Sequence, residues 1–137
     1  MSSPLSLRLP PGAASALVAD TLAAIWQELD DALHPVVGHR GVAALYQRSL
    51  SIAARARPWL TPPTAGPLSS LDTAGLHAAL LGQNGDDATA GGEALLSEFR
   101  ALLASLLGAS LADRLLRPVW AHAATPPSAQ DQRHDQP

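Results

Sequence analysis

The chain has 137 residues, a formal net charge of −3 and no cysteine. This length is enough for one hydrophobic core, and the lack of thiols excludes disulfides, zinc–thiolate centres and cysteine nucleophiles. The negative charge argues against general nucleic-acid binding and against a polybasic membrane anchor. Ala and Leu supply most of the apolar content of 47%. This composition favours helices over sheets.

The N-terminal third predicts two helices that follow a short arm. Residues 1–12 contain prolines and are predicted to be flexible. From Ala13 to Leu33 apolar residues recur at helical spacing and leave an acidic outer face, which predicts the first helix. His34-Pro35 is predicted to end it, because a residue before proline avoids the α region. A second helix is predicted from His39 to Arg57, and the short connection makes the two antiparallel neighbours.

The second predicted helix carries a stripe of arginines, Arg40, Arg48 and Arg55, within roughly 80° of its circumference. Three guanidinium groups so placed could receive an acidic helix, a phosphorylated partner or a nucleotide phosphate. The alternative is a solvated face that forms weak ion pairs with the acidic residues of the first helix. Those acidic residues are Asp20, Glu28, Asp30 and Asp31.

Prolines and glycines predict a loop over residues 61–67 and a mobile loop over residues 82–92. Between them lies a short predicted helix, which begins at Ser69 or Ser70 and ends at Leu81. The last major helix is predicted to begin near Asp87 or Thr89.

The apolar pattern changes phase at Gly108. Leu111, Leu115 and Leu116 then lie on a different helical face from the leucines before the glycine. Either the chain bends at Gly108 and starts a new helix, or one long helix uses a second apolar face for a dimer. Pro118 is predicted to end regular structure, and residues 121–137 are predicted to be a disordered tail.

Two histidines, His34 and His39, flank the predicted turn. A phosphotransfer histidine needs a nearby cation, usually a lysine three residues later, and this chain has no lysine. A metal site is not predicted, because the two histidines are five residues apart and have no carboxylate between them. The simplest interpretation is that His34 ends one helix and His39 begins the next.

The sequence therefore predicts an all-α, compact antiparallel bundle of four to five helices, formed by residues 13–120. We expect a non-enzymatic interaction or regulatory module that is cytoplasmic, comes from a bacterium and uses no cofactor. It could form a homodimer. Its partner would be another protein with an acidic or helical surface, and neither nucleic acid nor membrane. A small-ligand or haem sensor lined by Trp26, Tyr46 and Phe99 is one alternative. A phosphorelay protein using His34 or His39 is another.

Overall fold

The computed structural model describes residues 5, 8–10, 12–60 and 73–124, with side chains up to residue 119. The loop predicted over residues 61–67, the predicted helix start at Ser69 or Ser70 and residues 125–137 of the predicted tail lie outside the described residues. Within the described ranges the chain is all-α and has no strand, which confirms the predicted fold class. The helices are α1 (Ser15–Ala53), α2 (Ala74–Leu81), α3 (Gly85–Leu107) and α4 (Ala109–Ala124), with a 3₁₀ turn at Pro58–Leu60.

Helix α1 is a hairpin of two helical segments that are joined at Gly38. This glycine has φ 81° and ψ 159°, a conformation that residues with a side chain rarely adopt. In a continuous helix Trp26 and Tyr46 would be about 30 Å apart. Their ring centroids are instead 4.9 Å apart, so the chain reverses direction between them. We name the segments α1N (residues 15–37) and α1C (residues 39–53), and their antiparallel arrangement is as predicted.

The ends of these segments differ from the sequence prediction. Pro35 lies inside the helix and does not end it. A proline has no N–H group to donate to the carbonyl of Asp31, but both residues are exposed, so water can bond to that carbonyl. The left-handed Gly38 makes the break three residues later. Segment α1C then ends at Ala53, before the predicted Arg57, in a turn where the N–H of Arg55 donates to the carbonyl of Ile52.

The core is built on one face of each segment. Trp26 contacts Tyr46 and Phe99 edge-on, with ring centroids 4.9 and 4.8 Å apart. All three rings are buried, and such pairs contribute about 0.5–1.5 kcal/mol each beyond the area they bury. Helix α3 supplies Phe99 and a row of leucines, and α2 and α4 cover the remaining sides of α1. The core therefore lies between α1N, α1C and α3.

The glycine-rich stretch at residues 82–92, predicted to be a mobile loop, is mostly the first part of α3. Asn84 caps this helix by accepting a 2.7 Å hydrogen bond from the N–H of Asp87. Gly91 and Gly92 are buried inside the helix, where an added Cβ would lie 2.5 Å from the Trp59 ring and 2.6 Å from Leu5. The glycines thus permit close packing, and the prediction of a loop was wrong.

At Gly108 the chain bends, with φ 93° and ψ 148°, and α4 begins at the next residue. This confirms the first of the two alternatives from the sequence. Helix α4 continues through Pro118 to Ala124, so the prediction that Pro118 ends regular structure was wrong, and so was the start of the predicted disordered tail at residue 121. The carbonyl of Arg114 loses its helical partner at Pro118, but both residues are exposed and water can serve it.

Part of the segment predicted to be a flexible arm contacts the bundle. Leu5 is fully buried beside Gly92 and Leu22, and Arg8 binds Glu28 through two hydrogen bonds of 2.7 Å. Leu9 also packs against the core, and residues 1–4, 6, 7 and 11 of this arm lie outside the described ranges. None of the helices in the described part of the chain combines the length and the apolar character needed to cross a bilayer.

Candidate functional site

The predicted arginine stripe lies on the outer surface of α1C. Arg40 and Arg48 are in the helix, and Arg55 is in the turn that follows it; all three are exposed. At 1.5 Å per residue their Cα atoms are separated along the axis by about 12 and about 10 Å. Ala44 and Ser51, also exposed, lie between the arginines on the same face. We call these five residues the arginine face.

The arginine face forms no ion pair within the described part of the chain. The sequence offered the acidic residues of the first helix as its partners, and that pairing does not form. Three of those four acids bind other groups: Asp20 binds His77, Glu28 binds Arg8, and Asp30 binds His39. The predicted pairing of the stripe with the acids of α1N was therefore wrong, whereas the solvated face of the same interpretation is confirmed.

A second group of polar residues, Asp30, His34 and His39, lies at the corner of the α1 hairpin. Nδ1 of His39 lies 2.9 and 3.1 Å from the two carboxylate oxygens of Asp30. The rings of His34 and His39 are stacked, with centroids 4.3 Å apart and planes inclined by 11°. We call these three residues the corner cluster.

The corner cluster exists because of the reversal at Gly38. Asp30 and His34 are four residues apart and so share one face of α1N. The reversal returns His39 to that face, although it is nine residues from Asp30 in the sequence. Asp30 is only 9% exposed, whereas the His39 side chain is 54% exposed. A buried carboxylate is thus bonded to a histidine that water can reach.

The proton positions of the two rings follow from their oxygen partners. Nδ1 of His34 lies 3.0 Å from the backbone carbonyl oxygen of Asp30, which can only accept, so this nitrogen donates. Nδ1 of His39 likewise donates to the carboxylate when the ring is neutral. In neutral rings each Nε2 then carries a lone pair.

Sequence reasoning named both histidines but missed Asp30 as their partner. It looked for a carboxylate between His34 and His39 and for histidines four residues apart on one helix. The pair Asp30 and His34 does have that four-residue spacing. His34 is also inside the helix and not at its end, contrary to the sequence interpretation.

The predicted apolar partner surface on α4 is only partly accessible. Leu116 is buried in the core, because the bend at Gly108 turns this side of α4 toward the bundle. Leu116 therefore cannot contact a partner without opening the core. Leu111 and Leu115 are half-buried, and Leu115 packs against the same core.

The aromatic residues proposed for a ligand or haem pocket pack directly on one another. Trp26 lies between Tyr46 and Phe99, with both ring contacts below 5 Å. These contacts form the centre of the core. The small-ligand hypothesis and the phosphorelay hypothesis at His34 or His39 both stay predictions.

Comparison with known proteins identifies no relative of this chain. No protein family, no curated protein and no solved structure matches it.

Proposed function

We propose that this protein is a non-enzymatic interaction module whose arginine face binds an acidic helical segment of another protein. The observation that carries the proposal is that Arg40, Arg48 and Arg55 are exposed and form no ion pair with any described residue. Three of the four acids on α1N are engaged with other basic side chains, and the fourth, Asp31, forms no ion pair with the three arginines. The three guanidinium groups therefore remain available to carboxylates from outside.

The spacing of the arginines fits one face of a partner helix. A guanidinium group presents its N–H donors in a planar fork that matches a carboxylate. Axial separations of about 12 and about 10 Å correspond to roughly two helical turns each. A helix that carries Glu or Asp at intervals of seven to eight residues would place one carboxylate opposite each arginine.

The small residues on the arginine face support a helical partner. Ala44 and Ser51 lie between the arginines and leave shallow, accessible surface there. A partner backbone can approach closely where side chains are short, while the long arginines contact it from either side. The net charge of −3 makes a nucleic acid a poor partner, because its phosphates would be repelled by the rest of the surface.

The proposal is tested with a fluorescent helical peptide that carries glutamates at intervals of seven and eight residues. We expect the full chain to raise the anisotropy of this peptide, and a peptide with lysines at the same positions to give no change. The double variant Arg40→Glu, Arg48→Glu should weaken binding at least about tenfold, because charged hydrogen bonds contribute roughly 1.5–3 kcal/mol each. The matched control is Arg114→Glu with Arg117→Glu, two exposed arginines on α4.

Both double variants carry the same net charge, so the control separates a defined site from overall electrostatics. Equal loss of binding in the two variants would contradict the proposal. Full binding by the Arg40→Glu, Arg48→Glu variant would contradict it as well. A chain without residues 125–137, which include Asp131 and Asp135, shows whether that segment competes with the peptide for the arginine face.

The proposal also holds that the protein forms a homodimer and acts in the cytoplasm of a bacterium. The dimer is supported by apolar surface beside the bend at Gly108. Leu106 is 61% exposed at the end of α3, and Leu111 is half-buried at the start of α4. Such side chains are typical of contacts between proteins when they form a continuous patch. Sedimentation equilibrium that shows a strict monomer at high concentration would contradict the dimer.

A further inference from the structure

We propose that the corner cluster of Asp30, His34 and His39 binds a divalent transition-metal ion such as Zn²⁺. One ligand atom from each of the three residues lies within 4.8 Å of the others. The site is independent of the arginine face and joins the two segments of the α1 hairpin. A bound ion would connect α1N to α1C beside Gly38.

The donor atoms indicate the class of metal. Two imidazole nitrogens and one carboxylate oxygen suit Zn²⁺, Ni²⁺ and Cu²⁺, whereas Mg²⁺ and Ca²⁺ prefer sites made of oxygen alone. Three protein ligands leave a fourth tetrahedral position for water. His39 is exposed, so an ion can enter from solvent without opening the core.

One pair in the cluster, His39 and Asp30, already has nearly the spacing of two ligands on one ion. Ligand atoms on a tetrahedral zinc ion are about 3.4 Å apart, because zinc bonds to nitrogen and oxygen are about 2.1 Å long. Nδ1 of His39 and Oδ2 of Asp30 are 2.9 Å apart, so they need to separate by only about 0.5 Å. The ion would take the place of the proton that they share, and neutral His39 would then carry its proton on Nε2.

His34 already has the outer contact that metal-binding histidines usually make. Such a histidine donates its second ring N–H to a carbonyl or a carboxylate, which orients the ring toward the ion. Nδ1 of His34 donates to the backbone carbonyl of Asp30 at 3.0 Å and leaves Nε2 as the ligand atom. The His34 and His39 rings lie side by side, with centroids 4.3 Å apart and planes inclined by 11°, so one ring has to rotate before both nitrogens point at one ion.

The test is calorimetric titration of the full chain with Zn²⁺. We expect one ion per chain, with a dissociation constant that rises at least about tenfold in His34→Gln, in His39→Gln and in Asp30→Asn. The matched control is His77→Gln, since His77 also binds a carboxylate, at 2.7 Å from Asp20, but lies outside the cluster. Unchanged binding in His39→Gln, or an equal loss in His77→Gln, would overturn the proposal.

A second measurement needs no variant and so covers the case in which Asp30→Asn fails to fold. Imidazole resonances of the wild-type chain are followed by NMR during the Zn²⁺ titration. The signals of His34 and His39 should shift together and saturate at one equivalent, while those of His77 stay in place. Shifts confined to other histidines would place the metal elsewhere and contradict the site.

Discussion

The two segments of the α1 hairpin carry opposite charges. Those of α1N mostly form ion pairs within the described part of the chain, whereas the arginines of α1C do not. On α1N, three of the four predicted acids bind a basic side chain from another part of the chain. On α1C, the arginine face binds none of the described residues. Both segments are amphipathic helices with one side in the same core. The difference lies in what each outer surface meets.

The basic side chains that reach α1N come from three separate places. Arg8 comes from the N-terminal region, His39 from α1C, and His77 from α2. The acidic side of α1N is thus where other parts of the bundle attach. The arginine face has no neighbour of this kind, so its charges remain available to another molecule. Opposite charges on adjacent helices in a sequence do not show which of them will meet.

The substitution expected to disturb the α1 hairpin most is at Gly38. We expect Gly38→Ala to lower the free energy of unfolding by about 1–3 kcal/mol, because the φ of 81° and ψ of 159° strain any residue with a Cβ. An added Cβ would meet no atom within 4 Å, so the cost comes from the backbone alone. Urea denaturation followed by tryptophan fluorescence measures this loss.

The control is Gly75→Ala in α2, where an added Cβ also meets no atom within 4 Å. Gly75 lies in a helix and has no positive φ, so alanine should stabilise the chain by up to about 1 kcal/mol. The two substitutions are chemically identical and should have opposite signs. The same sign at both positions would show that Gly38 does not require its left-handed conformation.

The bundle could be predicted from the sequence because its helices have strong apolar periodicity. The two sharp breaks, at Gly38 and Gly108, both fall at glycines that the sequence places between apolar runs. The prolines led to wrong helix ends. Pro35 and Pro118 lie at exposed helical positions, where water can replace the lost hydrogen bond. The glycines of α3 misled for a different reason. Their role is close packing against Trp59 and Leu5, which depends on contacts distant in sequence.

The candidate sites were predictable only in part. The arginine stripe follows from helical spacing, which correctly predicted that the three arginines lie on one exposed face. Its lack of ion pairs could not be foreseen, because the partners of Asp20 and Glu28, His77 and Arg8, come from distant parts of the sequence. The corner cluster needs the exact direction in which the chain leaves Gly38. Spacing rules for one continuous helix cannot detect a ligand set that forms only after the chain reverses.

The smallest effects should come from the charges themselves, and they sharpen the comparison of the two segments. We expect Glu28→Gln to lower the free energy of unfolding by about 1–2 kcal/mol, because it weakens a bidentate, half-buried pair with Arg8. Arg48→Gln, which also removes one charge, should change it by less than about 0.5 kcal/mol, since Arg48 is exposed and forms no ion pair with the described residues.

Thermal unfolding of both variants at low and high salt gives the measurement. Salt should reduce the stability of the wild-type chain toward that of Glu28→Gln and leave the Arg48→Gln difference unchanged, because Glu28 has an ion pair that salt can weaken and Arg48 forms none with the described residues. Equal losses in the two variants would mean that α1C is held by its charges as α1N is. The arginine face would then be part of the scaffold, and its availability to an acidic partner would have to be abandoned.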